Sequence, residues 1–102
     1  MLDTCELAIA KLSTKSRGDY DADDTLRLAL AHLVQTVGEA AYRISSPFKD
    51  RNPEIPWAQV IGMRHRIVHD YLDVDYDIVW DVVRLHLPPL AGQLRSITAP
   101  SG

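Results

Sequence analysis

The strongest constraint on the fold is a long amphipathic stretch between residues 23 and 44. Apolar residues recur there at three- and four-residue steps, which is the period of an α-helix with one buried face. The stripe consists of Leu26, Leu30, Leu33, Val34, Val37, Ala41 and Ile44. Such a stripe needs other apolar surfaces to cover it, so it predicts a helix that packs into the core of a helical bundle.

The N-terminal part of the chain predicts a shorter helix with the same period. Apolar residues at three- and four-residue steps predict a helix from residue 2 to about residue 16. Gly18 is a suitable C-terminal cap for it, and residues 19–24 read as a connector. Cys5 lies on the apolar stripe of this helix, which favours a buried structural thiol over a nucleophile.

Prolines mark the boundaries in the second half of the chain. Ser45 and Pro47 predict a short helical turn that extends to Arg51, and Pro56 opens a further helix that should end near Tyr71. Residues 75–87 and 88–97 predict two helices, or one kinked helix, because Pro88 and Pro89 cannot donate backbone hydrogen bonds. No segment shows the alternation of a strand. The sequence therefore predicts an all-α, up-and-down bundle of four to five helices over residues 1–97, followed by a disordered tail at residues 98–102.

Length and charge narrow the class of protein. The chain has 102 residues, which suits one domain, and no apolar run approaches the roughly 20 residues of a membrane span. A single cysteine and an N-terminus without a basic leader favour a cytoplasmic protein with no membrane partner. The net charge of −3 argues against nonspecific coating of nucleic acid. Residues 41–69 carry five Lys or Arg against two acids, which is compatible with a bounded phosphate-binding cleft or with scattered surface charge.

The helix predicted to begin at Pro56 carries a cluster of basic side chains. Arg64 falls where its apolar stripe predicts a leucine, so Arg64 either extends its charged end to water or lies in a polar cleft. His65, Arg66 and His69 follow within five residues. His65 and His69 have the spacing of a metal-binding pair, but zinc needs three or four ligands and no third ligand has an obvious place. We therefore expect no metal.

The spacing Arg64-x4-His69-x-Tyr71 resembles the signature of the HEPN-domain ribonuclease toxins, specifically the HepT-type toxins that are paired with minimal nucleotidyltransferase antitoxins. The resemblance extends from Thr25 to about Leu94. His65 departs from the pattern, because many relatives have an asparagine there. The similar segments occur in the same order as in the family: Gly38-Glu39-Ala40-Ala41, Pro53-Glu54-Ile55-Pro56-Trp57, Ile61-Gly62-Met63-Arg64, Val68-His69-Asp70-Tyr71 and Asp77-Ile78-Val79-Trp80.

The resemblance implies the toxin of a prokaryotic toxin–antitoxin pair, a metal-independent endoribonuclease that acts on RNA such as tRNA or mRNA. It implies no cofactor, no DNA partner and a nucleotidyltransferase antitoxin. Arg64 and His69 would be catalytic, because a guanidinium can clamp a phosphate and an imidazole can transfer protons near neutral pH. His65 and Arg66 are possible supporting residues. Tyr71 corresponds to the hydroxyl that the antitoxin modifies with AMP. The alternative is a helical module that binds a nucleotide or phosphate beside a nucleotidyltransferase without cleaving RNA.

One geometric difficulty bears on the number of chains in the site. On a straight helix, residues five apart point about 140° away from each other, so Arg64 and His69 would not converge. The helix could deform near its end, the arginine could wrap around it, or two chains could share the site. The resemblance favours a homodimer with a shared cleft. The helix of residues 23–44 also has a second face around Ala31, Gln35, Gly38 and Tyr42 that is less charged than a usual solvent surface, which suggests contact with another helix or a second copy.

Overall fold

The computed structural model describes residues 1–70 and 73–98, and it confirms the all-α class. The helices are α1 (Leu2–Leu12), α2 (Arg17–Asp21), α3 (Asp24–Arg43), α4 (Ser46–Arg51), α5 (Trp57–Ile61), α6 (Met63–Ile67), α7 (Tyr76–Asp81) and α8 (Leu87–Thr98), with a π-helical turn at Val82–His86 and a two-stranded hairpin of β1 (Val68–Asp70) and β2 (Asp73–Val74). No helix in these ranges is long and apolar enough to cross a membrane.

Helix α3 forms the centre of the bundle. Asp23 caps its first turn by accepting a hydrogen bond from the Leu26 N–H, at 3.0 Å. Helices α1, α5, α6 and α7 pack against it, and α8 packs on α1. The stripe predicted for α3 is largely confirmed, because Leu30, Val34, Val37 and Ala41 are fully buried in the core.

The first predicted boundary is wrong. Helix α1 ends at Leu12, and Gly18 lies inside α2 instead of capping α1. The reason is local, because Ser16 and Asp19 form a capping box in which each side chain accepts a hydrogen bond from the other residue's backbone N–H, at 3.1 and 3.0 Å. The segment predicted as a connector therefore begins with a short helix.

The helix predicted to run from Pro56 to Tyr71 is divided by Gly62 and ends early. The ψ angle of Gly62 is −6°, far from the helical value, so α6 starts with a changed phase relative to α5. Helix α6 then ends at Ile67, and the chain continues as the β1–β2 hairpin, which periodicity did not predict. The backbone N–H of Asp75 donates to the Ile67 carbonyl at 2.7 Å and closes this hairpin onto the helix end.

The last helical segment is continuous. Pro88 and Pro89 occupy the first turn of α8, where a missing N–H costs least, and the π turn before them avoids the break that two prolines would cause in a regular α-helix. Asp75 caps α7 through the N–H groups of Asp77 and Ile78, as its position before an apolar stripe predicts. Helix α8 includes Thr98, whereas the rest of the predicted disordered tail, residues 99–102, lies outside the described residues. The assignment of residues 1–97 to one domain stays a prediction.

Candidate functional site

The break at Gly62 decides where the basic residues of α6 lie. Met63 and Ile67 are the buried residues of this helix, and the intervening Arg64, His65 and Arg66 are all exposed. The expectation that Arg64 interrupts the apolar stripe is therefore wrong, because the phase change moves Met63 into that stripe. Because Arg64 is exposed, its charged group stays in water and no desolvation penalty arises.

Arg64 and His65 line a cleft between α6 and the C-terminal half of α3. This cleft, called the Arg64 cleft below, has a volume of about 370 Å³. Its lining residues are Gly38, Glu39, Tyr42, Arg43, Ile61, Arg64 and His65. Arg43, Arg64 and His65 can carry positive charge, against one acid, and among the described residues none of these three has a hydrogen bond or ion pair through its side chain. The cleft can therefore bind a phosphate without breaking an interaction within the chain.

The cleft is narrow at its base because Gly38 lets α3 approach α5 closely. A Cβ atom built at Gly38 would lie 3.2 Å from the carbonyl oxygen of Val60 and 3.5 Å from that of Ile61. The small-residue face of α3 thus contacts another helix of the same chain at this point. Ala31 is also buried within the chain, whereas Leu28 and Tyr42 remain exposed.

His69 does not continue the helix. It lies in β1, between Val68, which pairs with Val74, and Asp70, which pairs with Asp73. Between these two pairs, β1 advances by two residues and β2 by only one, so His69 is the extra residue of a bulge. Bulges occur next to active sites, where they change the direction of a side chain. The helical angle of 140° between Arg64 and His69 therefore does not apply, which corresponds to the alternative in which the helix deforms near its end.

The remaining residues of the motif lie on more than one element. His65 lies on α6 and His69 on β1, so the spacing of two histidines on one helix face does not apply to them. Asp70 is the last residue of β1. Tyr71 lies outside the described residues.

Arg66 is separated from Arg64 by the geometry of α6. Residues two apart on a helix point about 200° apart, and Arg66 lines a different pocket, which also contains His86 of the π turn. The sequence predicted Arg66 as a possible supporting residue of the site formed by Arg64 and His69, and it gave no role to His86. It also did not assign Glu39, Tyr42 or Arg43 to the site. Their spacing of three and four residues along α3 puts them on one face and is the signal that was available.

The thiol of Cys5 is structural. Cys5 is fully buried, and this burial raises the pKa of the thiol from its ordinary 9.0 to about 11. A thiol that stays protonated near neutral pH is a poor nucleophile, which agrees with the interpretation made from its position on the apolar stripe.

The chain is an all-α bundle that exposes Arg43, Arg64 and His65 in a cleft beside α3. A family model described as ribonuclease HepT-like matches residues 1–97, so the chain belongs to the HepT-like ribonuclease family. This membership confirms the family that the motif suggested. It also confirms the predicted enzyme class, which is a ribonuclease.

Individual relatives agree with the family. A protein of Caldanaerobacter subterraneus subsp. tengcongensis, provisionally named an RNase, is 29% identical over 97 residues, which cover 95% of this chain and 87% of the relative. A protein of Thermococcus cleftensis, provisionally named ribonuclease HepT, is 32% identical over 79 residues, which cover 78% of this chain and 72% of the relative. No solved structure gives a significant match to the chain.

Proposed function

We propose that this chain is the toxin of a prokaryotic toxin–antitoxin pair and cleaves RNA endonucleolytically without a metal ion. The observation that carries the proposal is the position of His69 on a bulge directly after the helix that exposes Arg64 and His65 in one cationic cleft. Membership of the HepT-like ribonuclease family supports the same reaction class.

The reaction needs few groups. The 2′-hydroxyl of the RNA attacks the neighbouring phosphorus while a base removes its proton, and the bond from phosphorus to the 5′-oxygen breaks as an acid protonates that oxygen. His69 would transfer a proton in this step, and the guanidinium of Arg64 would stabilise the extra negative charge on the phosphate. His65 lines the Arg64 cleft and is a candidate for the second proton transfer. Arg66 faces another pocket, so we no longer assign it a supporting role.

The products of cleavage test this chemistry. Purified protein is incubated with tRNA or mRNA in EDTA, and the ends of the fragments are identified by mass spectrometry. We expect 2′,3′-cyclic phosphate and 5′-hydroxyl ends, and no cleavage where the attacking 2′-hydroxyl is replaced by hydrogen. Cleavage that requires added Mg²⁺ would contradict the metal-independent step.

Substitution tests the assignment of His69. His69→Ala should lower the cleavage rate by about 10²–10⁴-fold, as loss of a general acid or base does, with an unchanged helical circular dichroism spectrum. His32→Ala is the matched control, because His32 is an exposed histidine of α3 outside the Arg64 cleft. A His69→Ala protein that cleaves at the wild-type rate excludes His69 as the catalyst. Wild-type protein that binds RNA but cleaves none would instead support the non-catalytic binding module.

Control by the antitoxin is the remaining part of the proposal. The family resemblance assigns Tyr71 as the hydroxyl to which the nucleotidyltransferase attaches AMP from ATP, with release of pyrophosphate, and the added phosphate would pair with Arg64 in place of RNA. Tyr71→Phe keeps the ring and removes the acceptor oxygen. After incubation with the cognate nucleotidyltransferase and ATP, intact mass should show the AMP adduct on the wild type and none on the variant. An adduct that persists on the variant would place the modification elsewhere.

A further inference from the structure

A second pocket lies on the other side of α6 from the Arg64 cleft. It has a volume of about 300 Å³, between α5 and α6 on one side and the π turn and α8 on the other, and is called the Arg66 pocket below. Its floor consists of Val60, Met63 and Leu90, which are at most 4% exposed. Its polar rim consists of Glu54, Gln59, Arg66, His86 and Gln93.

The two basic side chains of this rim are those of Arg66 and His86. Among the described residues, neither Arg66 nor His86 forms a hydrogen bond or ion pair through its side chain. Gln93 is held in place, because its Nε2 donates to the Glu54 carbonyl oxygen at 3.0 Å. The Oε1 atom of Gln93 stays available as an acceptor, so the rim presents free donors and a fixed acceptor around an apolar floor.

The backbone beside His86 is irregular. His86 is the last residue of the π turn Val82–His86, in which the Leu87 N–H donates to the Val82 carbonyl. Single π turns within α-helices are rare and occur frequently at functional sites. The two prolines that follow account for the widened turn, and one consequence is that His86 lies at the edge of the Arg66 pocket.

We propose that the Arg66 pocket binds one nucleoside monophosphate unit. Arg66 and His86 would donate to the phosphate, the apolar floor would contact the base, and the amides of Gln59 and Gln93 would bind the edge of the base. Glu54 is the one acid of the rim, and its carboxylate suits the hydroxyl groups of a ribose. The volume is at the lower end of small-ligand pockets, which limits the occupant to about one nucleotide.

The chemistry does not distinguish a free nucleotide from one nucleotide of an RNA chain, and both present the same phosphate, ribose and base. The site is separate from the Arg64 cleft, because Arg64 and Arg66 point to opposite sides of α6. Binding in the Arg66 pocket therefore does not depend on RNA cleavage, and the two proposals can fail independently.

Calorimetric titration of the full chain tests the pocket, with AMP as the probe and adenosine and inorganic phosphate as comparisons. We expect saturable binding of AMP and at least tenfold weaker binding of either comparison. Arg66→Gln and His86→Gln should each weaken AMP binding by about 10- to 100-fold, the usual loss for a hydrogen bond to a charged group. Both positions are exposed, so neither substitution should affect folding.

Arg64→Gln is the matched control, since it removes an arginine of the same short helix from the opposite cleft, and AMP should bind to it with wild-type affinity. The proposal is overturned if AMP does not saturate, if Arg66→Gln binds normally, or if Arg64→Gln loses as much affinity as Arg66→Gln. A short 2′-O-methyl RNA, which cannot be cleaved, then identifies the source of the ligand. Displacement of AMP from the wild type by this RNA supports a nucleotide of an RNA chain as the occupant, and binding of AMP without displacement supports a free nucleotide.

Discussion

Gly38 is the residue at which α3 and α5 come closest. A leucine at this position would force its side chain against the carbonyl oxygens of Val60 and Ile61, which belong to the backbone and cannot rotate away. We expect Gly38→Leu to lower the free energy of unfolding by about 1–3 kcal/mol, measured by urea denaturation. Gly92→Leu is the control, because nothing lies within 4 Å of a Cβ atom built at Gly92. It should stabilise α8 by several tenths of a kcal/mol. Equal effects at both positions would contradict the close approach.

Cys5 makes the stability depend on pH in the alkaline range. The thiol of the unfolded chain ionises near its ordinary pKa of 9.0, whereas the folded chain holds the proton until about pH 11. The unfolded state therefore binds fewer protons between these values, so the free energy of unfolding should be constant below pH 9 and fall above it, by at most about 1.4 kcal/mol per pH unit.

Cys5→Ala should remove this slope. The comparison is cleanest between pH 9 and pH 10, because burial also raises the pKa of Tyr20 and that phenol lowers stability in the same direction at higher pH. Urea denaturation across this range provides the measurement. A slope that is unchanged in Cys5→Ala would assign it to other groups.

The docking of α2 includes a part-buried hydrogen bond between α2 and the start of α7. The hydroxyl of Tyr20 donates to the Tyr76 carbonyl at 2.7 Å, at the start of α7, and the ring is fully buried beside Trp80. Tyr20→Phe should lower the free energy of unfolding by about 1–2 kcal/mol. The nearby ion pair of Arg17 and Asp77 should matter much less, because the Asp77 side chain is 80% exposed. Thermal unfolding of Tyr20→Phe and Asp77→Asn compares them, and a larger effect of Asp77→Asn would reverse this ranking.

The helices that were predicted well are those whose ends have strong local signals. Asp23 and Asp75 are caps before apolar stripes, and both helices start where these residues predict. The prediction was wrong where periodicity continued past a real helix end. Residues 68–70 fit a helix as well as a strand by spacing alone, and the pairing with Asp73 and Val74 that makes them a strand is not visible in that spacing.

The candidate site was predictable as a set of residues and less so as an arrangement. The motif identified Arg64, and its neighbour His65 was a possible supporting residue; these two do share a cleft. It could not reveal that Arg66 faces another pocket, because this follows from the phase change at Gly62. Nor could it assign Tyr42 and Arg43 to the cleft, since the contact of α3 with α6 joins residues that are more than 20 positions apart.

At the scale of the whole molecule, pairing of two chains stays a prediction. Gly38 and Ala31 pack within the chain, so the available part of the α3 face is its exposed stripe, where Leu28 is 60% and Tyr42 is 74% exposed. We expect light scattering to give twice the chain mass for the wild type and the single chain mass for Leu28→Asp. Leu85→Asp is the control, because Leu85 is 65% exposed and lies on the π turn. A wild type that is monomeric at every concentration would exclude the homodimer.

The hairpin that carries His69 has a consequence for how the protein responds to heat. Two short strands in isolation are marginally stable, and this pair lies at the end of a five-residue helix, whereas the core residues of α3 are packed from several sides. Local opening is easiest where few buried contacts resist it. Warming should therefore stop RNA cleavage reversibly several degrees below the midpoint of helix melting followed by circular dichroism. The upper temperature of activity would then be set by one short hairpin, and stabilising the bundle alone would not raise it.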